Sequence, residues 1–392
     1  MTNKLKIAIF SDAFYPTNSG VVSYTVTTAK ELSDRGHKVF LFVPKSKDTM
    51  YKRILNKNVK VFRYTGLKAF FYPDFKFTNI LSPGDFKLFK KIDPDVVYYQ
   101  TPFTLGLKGI MLAKIFNKPI VGVFHTRIAH KEYISNLGII GKKINLEKLA
   151  WRYLKYFYKE CDAIISPSQD IKRELDARKF HTKIIAINNF VDTKDLKNYK
   201  TSIDVKDKSF LYLGRISVEK NIPCLIKGFK KVVSKDKEAH LYILGGGPMF
   251  DDIKLLIKKI GLQDNIHMLG MIDRDVILKT DLLTRFKAIV TMSNTEVQPL
   301  SLIEAMFKKL PILGPDTDGI RELVKSNGIL VKKNSSDEMA KAMLKLIENP
   351  KYQKKLSQAA IEKSKEYNSK ILIKKLEKEL IQIVKTDKRK NN

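Results

Sequence analysis

Residues 5–43 read LKIAIFSDAFYPTNSGVVSYTVTTAKELSDRGHKVFLFV, and the order of patterns within them decides the fold. Leu5 to Phe10 is an apolar run of strand length, and it ends in Ser11-Asp12 and a turn-rich loop, Pro16-Thr17-Asn18-Ser19-Gly20. The pattern then predicts a helix from about Val21 to Arg35, with Gly36 as its C-terminal stop. A second strand, Lys38 to Val43, follows at once. Strand, loop, helix and strand in this order form a βαβ unit, so a parallel sheet is expected. A glycine at a helix mouth lets the backbone approach a phosphate closely. Gly20 is therefore a candidate phosphate contact, or simply a helix cap.

The same alternation continues. Val59–Tyr64, Val96–Gln100, Ile120–Phe124, Ala163–Pro167 and Ile184–Asn188 read as further strands, with a helix over Leu105–Phe116. Between Phe190 and Asp207 the sequence turns polar and irregular, which marks a domain link. A second series then opens with strands at Phe210–Leu213, His240–Leu244, Ile266–Leu269, Ala288–Met292, Pro311–Leu313 and Ile329–Val331. Two similar halves predict an α/β protein of two facing Rossmann-like domains with a cleft between them. The expected division is 1–190 and 191–368, with the closing helix, about 369–392, returning to the first domain and the tail from Lys385 frayed.

Composition narrows the class. A chain of 392 residues with 44% apolar content is long enough for two domains. It has no apolar run of membrane-spanning length. The N-terminus enters a strand directly, without signal-peptide organisation. Cys161 and Cys224 are the only cysteines, so no disulfide framework or thiolate cluster is expected, and a reducing cytoplasm is the plain inference. The net charge of +32 points to nucleic acid or an anionic membrane surface as partner, or to a general bias toward lysine.

Two basic, aromatic stretches bear on that choice. In residues 68–77, Phe70, Phe71, Tyr72, Phe75 and Phe77 cluster without a period that buries them all. They suit a membrane interface, or a loop folding back on the core. In residues 142–160, Leu149, Tyr153, Tyr156 and Phe157 fall on one helical stripe flanked by Lys148, Arg152, Lys155 and Lys159. This helix either lies on a membrane or packs its stripe against the sheet.

The chemistry concentrates in the second half. In TMSNTEVQPLSLIEAM, residues 291–306, a strand gives way to a loop and then a helix. Glu296 lies in the loop and Glu304 in the second helical turn, both aimed at the crevice beyond the strand ends. Pro299 suits the first helical turn, whose free N–H groups form an anion seat. Acids beside an anion seat suit a ligand with hydroxyls and phosphates, such as a nucleotide sugar. Arg215 and Lys220 follow the strand Phe210–Leu213 and supply the two cations a diphosphate leaving group requires. Gly245-Gly246-Gly247-Pro248 allows close approach of a nucleotide, or is only a tight turn. His125, at a strand end, is placed for a ligand hydroxyl. Of three Asp-x-Asp pairs, Asp93 and Asp95 lie at the wrong end of the sheet, and Asp273 and Asp275 suit a helix N-terminus. Only Asp316 and Asp318 remain for a cation, and no metal is expected.

Gly214-Arg215 with Glu219-Lys220-Asn221, followed by Glu296 and Glu304 seven residues between, resembles the signature of the family 4 retaining glycosyltransferases of B-type fold. Phe10-Ser11-Asp12, Tyr15-Pro16 and Asn18-Ser19-Gly20-Val21 are similar to that family's N-terminal glycine loop. Thr101 to Gly106 and Phe124-His125-Thr126 resemble its branch acting on diacylglycerol. The resemblance implies that Arg215 and Lys220 hold the donor diphosphate, assisted by amides near Gly20. It implies Glu304 on the ribose, Glu296 orienting the sugar, and His125 contacting it from the first domain. It also implies front-face transfer with retention and no metal. Pro299 stands where the lipid branch often has glycine and offers no amide N–H; Asp318-Gly319 replaces paired glycines. His130 and Tyr133 lie at a distance typical of acceptor-side loops.

Three functions follow as expectations. The first is a peripheral membrane enzyme moving glucose from UDP-glucose to diacylglycerol or monoglucosyl-diacylglycerol. The second is a family 4 transferase acting on another lipid, a cell-wall polymer or a soluble sugar. The third, a nucleic-acid binder on a Rossmann scaffold, leaves the paired acids and cations without purpose, so no nucleic-acid partner is expected.

Overall fold

The structure is a computed structural model that describes residues 4–17, 19–49, 51–68, 76–125, 127, 129, 146–387 and 389. The chain divides into two compact units, Met1–Phe190 with Ser369–Asn392, and Val191–Asn368.

In the first unit, strands β1 (Lys6–Phe10), β2 (Lys38–Pro44), β3 (Val59–Tyr64), β6 (Val96–Tyr99), β7 (Ile120–Val123), β8 (Ala163–Ser166) and β9 (Lys183–Ala186) form one sheet. Its order is β3-β2-β1-β6-β7-β8-β9, and all neighbours are parallel. A separate antiparallel ribbon joins β4 (Gly66–Lys68) to β5 (Lys76–Thr78). The helices are α1 (Gly20–Asp34), α2 (Tyr51–Ile54), α3 (Pro83–Ile92), α4 (Thr104–Ile115), α5 (Leu146–Tyr158) and α6 (Gln169–Ala177). The central strands are wholly buried because helices cover both faces, which is why they read as unbroken apolar runs rather than alternating ones.

The second unit repeats the plan. Strands β10 (Ser209–Leu213), β11 (His240–Leu244), β12 (Ile266–Gly270), β13 (Ala288–Val290), β14 (Ile312–Pro315) and β15 (Gly328–Val331) run in the order β12-β11-β10-β13-β14-β15, all parallel. Helices α7 (Ile222–Val233), α8 (Phe250–Lys259), α9 (Arg274–Lys279), α10 (Leu300–Phe307), α11 (Asp318–Arg321), α12 (Ser336–Glu348) and α13 (Pro350–Ser364) connect and cover them. Phe210, Ile226, Phe229, Met339, Met343 and Leu346 share one buried core.

The last helix, α14 (Ser369–Thr386), belongs to the first unit. It buries Leu372, Ile373, Leu376 and Leu380. Its Glu377 accepts from Arg35 Nε at 2.6 Å and lies 2.8 Å from His37 Nε2. His37 Nδ1 already accepts the Leu5 amide, so Nε2 carries the proton that Glu377 receives.

Two sequence expectations shift. Helix α1 starts at Gly20, capped by Ser19 whose Oγ accepts the Val22 amide. In α5 the inward face is Trp151, Leu154, Phe157 and Tyr158, so Phe157 turns in while Leu149, Tyr153 and Tyr156 stay on the outer side. The helix has apolar residues on two adjacent stripes, and the sheet takes the one carrying the single Trp. Phe70, Phe71, Tyr72, Phe75, His130 and Tyr133 lie outside the described residues.

Candidate functional site

In each sheet the strand order reverses beside the first strand of its series, and ligands bind beyond the strand ends at such a reversal. In the second unit the reversal falls between β10 and β13, where Phe210 pairs with Ala288. Arg215 and Lys220 leave the end of β10, and Glu296 leaves the end of β13. Residues 76 positions apart in sequence therefore meet: Lys220 Nζ donates to Glu296 Oε1 at 2.6 Å, with both side chains mostly covered. Lys220 closes a short 3-10 turn, Val218–Lys220, which Asn221 ends in the left-handed region at φ 51°. Asn221 and Asn294 both donate to Asn334 Oδ1, at 2.9 and 2.8 Å, so the loops after β10, β13 and β15 are tied together. The Tyr212 hydroxyl donates to the Arg215 carbonyl at 2.7 Å and fixes the backbone from which that guanidinium extends.

The glycine loop 245–247 is shaped by packing. A Cβ on Gly245 would lie 1.8 Å from the Gly214 carbonyl oxygen, and one on Gly247 would lie 2.3 Å from that of Ile216. Both have positive φ, 141° and 155°. These glycines are needed so that the loop after β11 can lie against residues 214–216. That contact accounts for them as a tight turn.

Glu304 sits in the second turn of α10 and is only 6% exposed. Arg274 Nε and Nη2 donate to its Oε1 at 3.1 and 2.5 Å. Sequence reading gave Arg274 no role; the only signal was a cation at the opening of the helix that Asp273 caps by accepting the Asp275 amide. Pro299 is the N-cap of α10, at φ −73° and ψ 122°, one position before the first turn where it was expected. The cause is its extended ψ, which makes it the residue that enters the helix. Its carbonyl still accepts the Leu302 and Ile303 amides at 3.2 and 3.4 Å. Behind the Glu296 loop lies Gly319, where a Cβ would come within 2.1 Å of the Glu296 carbonyl oxygen.

The Asp-x-Asp pairs serve the backbone or a cation of the chain itself. Asp95 accepts the Lys6 amide at 2.8 Å, and Asp93 ends α3 and pairs with Lys118. Asp316 and Asp318 both accept from Arg321, at 2.5 and 3.3 Å.

In the first unit the reversal lies between β1 and β6, where the carboxylate of Asp12 follows β1, and a neutral group, His125, stands one strand further on. Gly20 is exposed at the mouth of α1. His125 lies just past β7, with Nε2 3.0 Å from Oε1 of the buried Gln100 and its ring edge-on to Tyr24. Desolvation pushes the imidazole pKa down to about 3, so it is neutral at physiological pH. Because Gln100 Oε1 can only accept, His125 Nε2 carries the proton and Nδ1 is left as an acceptor. The Tyr24 hydroxyl continues the chain to Tyr98 at 3.0 Å. Gln100, like Arg274, lies in no motif and was not foreseen. Asp12 is buried below this site, accepting from the Thr101 and Thr104 hydroxyls and the Leu105 amide at the start of α4. Desolvation nonetheless raises its pKa to about 6.

Two units, each built on a parallel Rossmann-like sheet, agree with the B-type fold of glycosyltransferases. The family models agree: "Glycosyltransferase Family 4" matches residues 18–195 and "Glycosyl transferases group 1" matches residues 193–363. The chain belongs to the family 4 glycosyltransferases. It is 26% identical to alpha-monoglucosyldiacylglycerol synthase of Acholeplasma laidlawii, over 99% of this chain and 100% of that protein. It is also 26% identical to the protein of that name from Streptococcus pneumoniae, over 82% of this chain and 73% of the other. In fold it is similar to Anabaena HepE solved with UDP-glucose, with a TM-score of 0.72, 19% identity, and coverage of 96% of this chain and 100% of that one.

Proposed function

We propose that this protein transfers glucose from UDP-glucose, with retention, to diacylglycerol or monoglucosyl-diacylglycerol at an anionic cytoplasmic membrane surface. The observation that carries the donor half is the Lys220–Glu296 pair at the β10/β13 reversal. A buried ion pair is costly unless its groups are needed, and replacing it by apolar residues is often neutral or better for stability. A diphosphate gives Lys220 a second anion, and a sugar hydroxyl gives Glu296 a second donor. Arg215 joins Lys220 on the diphosphate, Gly20 lends backbone amides, and Glu304 takes the ribose. Glu296 and His125 hold the hexose, with the neutral His125 accepting a sugar hydroxyl at Nδ1. The anomeric carbon's bond to the phosphate oxygen breaks as the acceptor oxygen bonds on the same face. The acceptor proton passes to the departing phosphate. The protein contributes position and charge, and the two cations take the part a metal would otherwise play.

The acceptor half is supported by the names of the two relatives above and by the outer face of α5. Leu149 and Tyr156 are 54% and 63% exposed there, beside the exposed Lys148, Arg152, Lys155 and Lys159. Apolar and basic side chains on one exposed face suit an anionic lipid surface. No helix among the described residues is long and apolar enough to cross a membrane, so binding at the surface is the mode proposed. The test offers labelled UDP-glucose and UDP-galactose, with either acceptor in anionic vesicles and with a chelator present. Glucose label entering the lipid phase is expected. Label appearing only in a water-soluble product, or transfer that needs a divalent ion, would sink the reading.

A further inference from the structure

We propose that Arg274 is a positioning residue for nucleotide recognition: it holds Oε1 of Glu304, so that Oε2 alone receives the vicinal hydroxyls of the ribose. This rests on the reading of Glu304 as the ribose contact and deepens it.

A carboxylate as covered as Glu304 needs a counter-charge, because an isolated buried anion takes up a proton or leaves the site. Arg274 supplies that charge in a particular way. A guanidinium usually meets a carboxylate as a fork, one nitrogen to each oxygen. Here Nε and Nη2 converge on the same oxygen, Oε1, at 3.1 and 2.5 Å. Both lone pairs of Oε1 are thereby engaged. Oε2 keeps two lone pairs, the number that two adjacent hydroxyl donors require.

The two ends of the pair are fixed by different elements. Glu304 stands on α10, whose Leu302, Ile303, Ala305 and Met306 are all buried, so its backbone is held by the core. Arg274 is the first residue of α9, set by the Asp273 cap just after it leaves β12. The carboxylate therefore has one orientation while Arg274 is present. Without Arg274 it is free to rotate about its last torsion, and its preference for a diol weakens.

The test is calorimetric binding to the full chain with UDP, 2′-deoxy-UDP and 3′-deoxy-UDP. The wild type is expected to prefer UDP over at least one deoxy form by about tenfold or more, the range for a hydrogen bond to a charged group. Arg274→Gln should cut that preference to below about threefold while UDP still binds. Arg274→Lys, which keeps the charge and loses the two-point hold, should fall between the two. If Arg274→Gln weakens UDP and both deoxy forms by one common factor, Arg274 serves only structure and the proposal is overturned. Should Arg274→Gln fail to fold, Arg274→Lys decides, and a wild-type preference there overturns it. Glu304→Ala separates the two layers of the claim. A preference that survives in Glu304→Ala refutes the ribose assignment itself. A preference lost in Glu304→Ala and kept in Arg274→Gln refutes the role of Arg274 alone. Failure of the wild type to bind UDP refutes both.

Discussion

The sheets of the two units share one strand order over their first six strands and hold different chemistry beyond their strand ends. Beyond β10 and β13 the side chains are charged and paired, Lys220 with Glu296, and Arg274 with Glu304 nearby. In the first unit a neutral chain of His125, Gln100, Tyr24 and Tyr98 stands past β6 and β7, one strand beyond the reversal. A common architecture positions loops and does not choose their chemistry. Under the proposed function the two cations for a diphosphate stand on the second unit, and the neutral imidazole for a sugar hydroxyl stands on the first.

The comparison breaks most easily at the charged pair. Glu296→Ala and Lys220→Ala should each lower the transfer rate by roughly 100-fold or more, since the first removes the group proposed to orient the sugar and the second a cation placed for the charge developing on the diphosphate. If the two act as one unit, the double variant will be little worse than the poorer single. Fully multiplicative losses would show that the pair seen here has no joint role. Next comes Gly319→Ala. Its Cβ would press on the Glu296 carbonyl, and overpacking of this kind costs about 1–3 kcal/mol. A lowered melting point together with a raised KM for the donor is expected; a change in stability alone would detach Gly319 from the site.

The neutral side has a pH signature. The folded His125 titrates well below its unfolded value, so its contribution to stability is complete above about pH 6.5 and is lost as pH falls towards 3. Going from about pH 7 to 5, the wild type should lose up to about 2 kcal/mol that His125→Gln does not lose. Parallel denaturation curves for the two proteins would contradict an imidazole held neutral in the folded protein. The smallest effect belongs to the outer face of α5. Lys155→Ala should weaken partition onto anionic vesicles by about 1 kcal/mol, roughly fivefold, and leave stability unchanged. Salt-independent partition would remove this face from the account.

Much of this was legible in the sequence, and the rest was hidden for physical reasons. Strands buried on both faces announce themselves as apolar runs, and their alternation with helices gave the parallel sheets. Lys220 and Glu296 were readable because each follows a strand end, and the strand order did the rest. Arg274 was not readable, since its partner is set by where the loop after β12 ends and α9 begins, which no spacing rule reports. Gln100 was read as the last residue of a strand, yet its side chain fixes the tautomer of His125. The α5 stripe was misjudged because two overlapping apolar stripes satisfy the same helical period. Only packing shows that Trp151, Leu154 and Tyr158 win the inner face. Pro299 was misplaced by one residue because proline serves both just before a helix and in its first turn.

The most direct test of the division between charged and neutral ends is UDP titration of the full-length protein by calorimetry, comparing Lys220→Ala with His125→Ala. UDP carries the diphosphate and lacks the sugar. The account predicts that Lys220→Ala weakens UDP binding by about tenfold or more, as expected for a charge-assisted contact, while His125→Ala stays close to wild type. Equal losses in both variants, or a larger loss in His125→Ala, would contradict it.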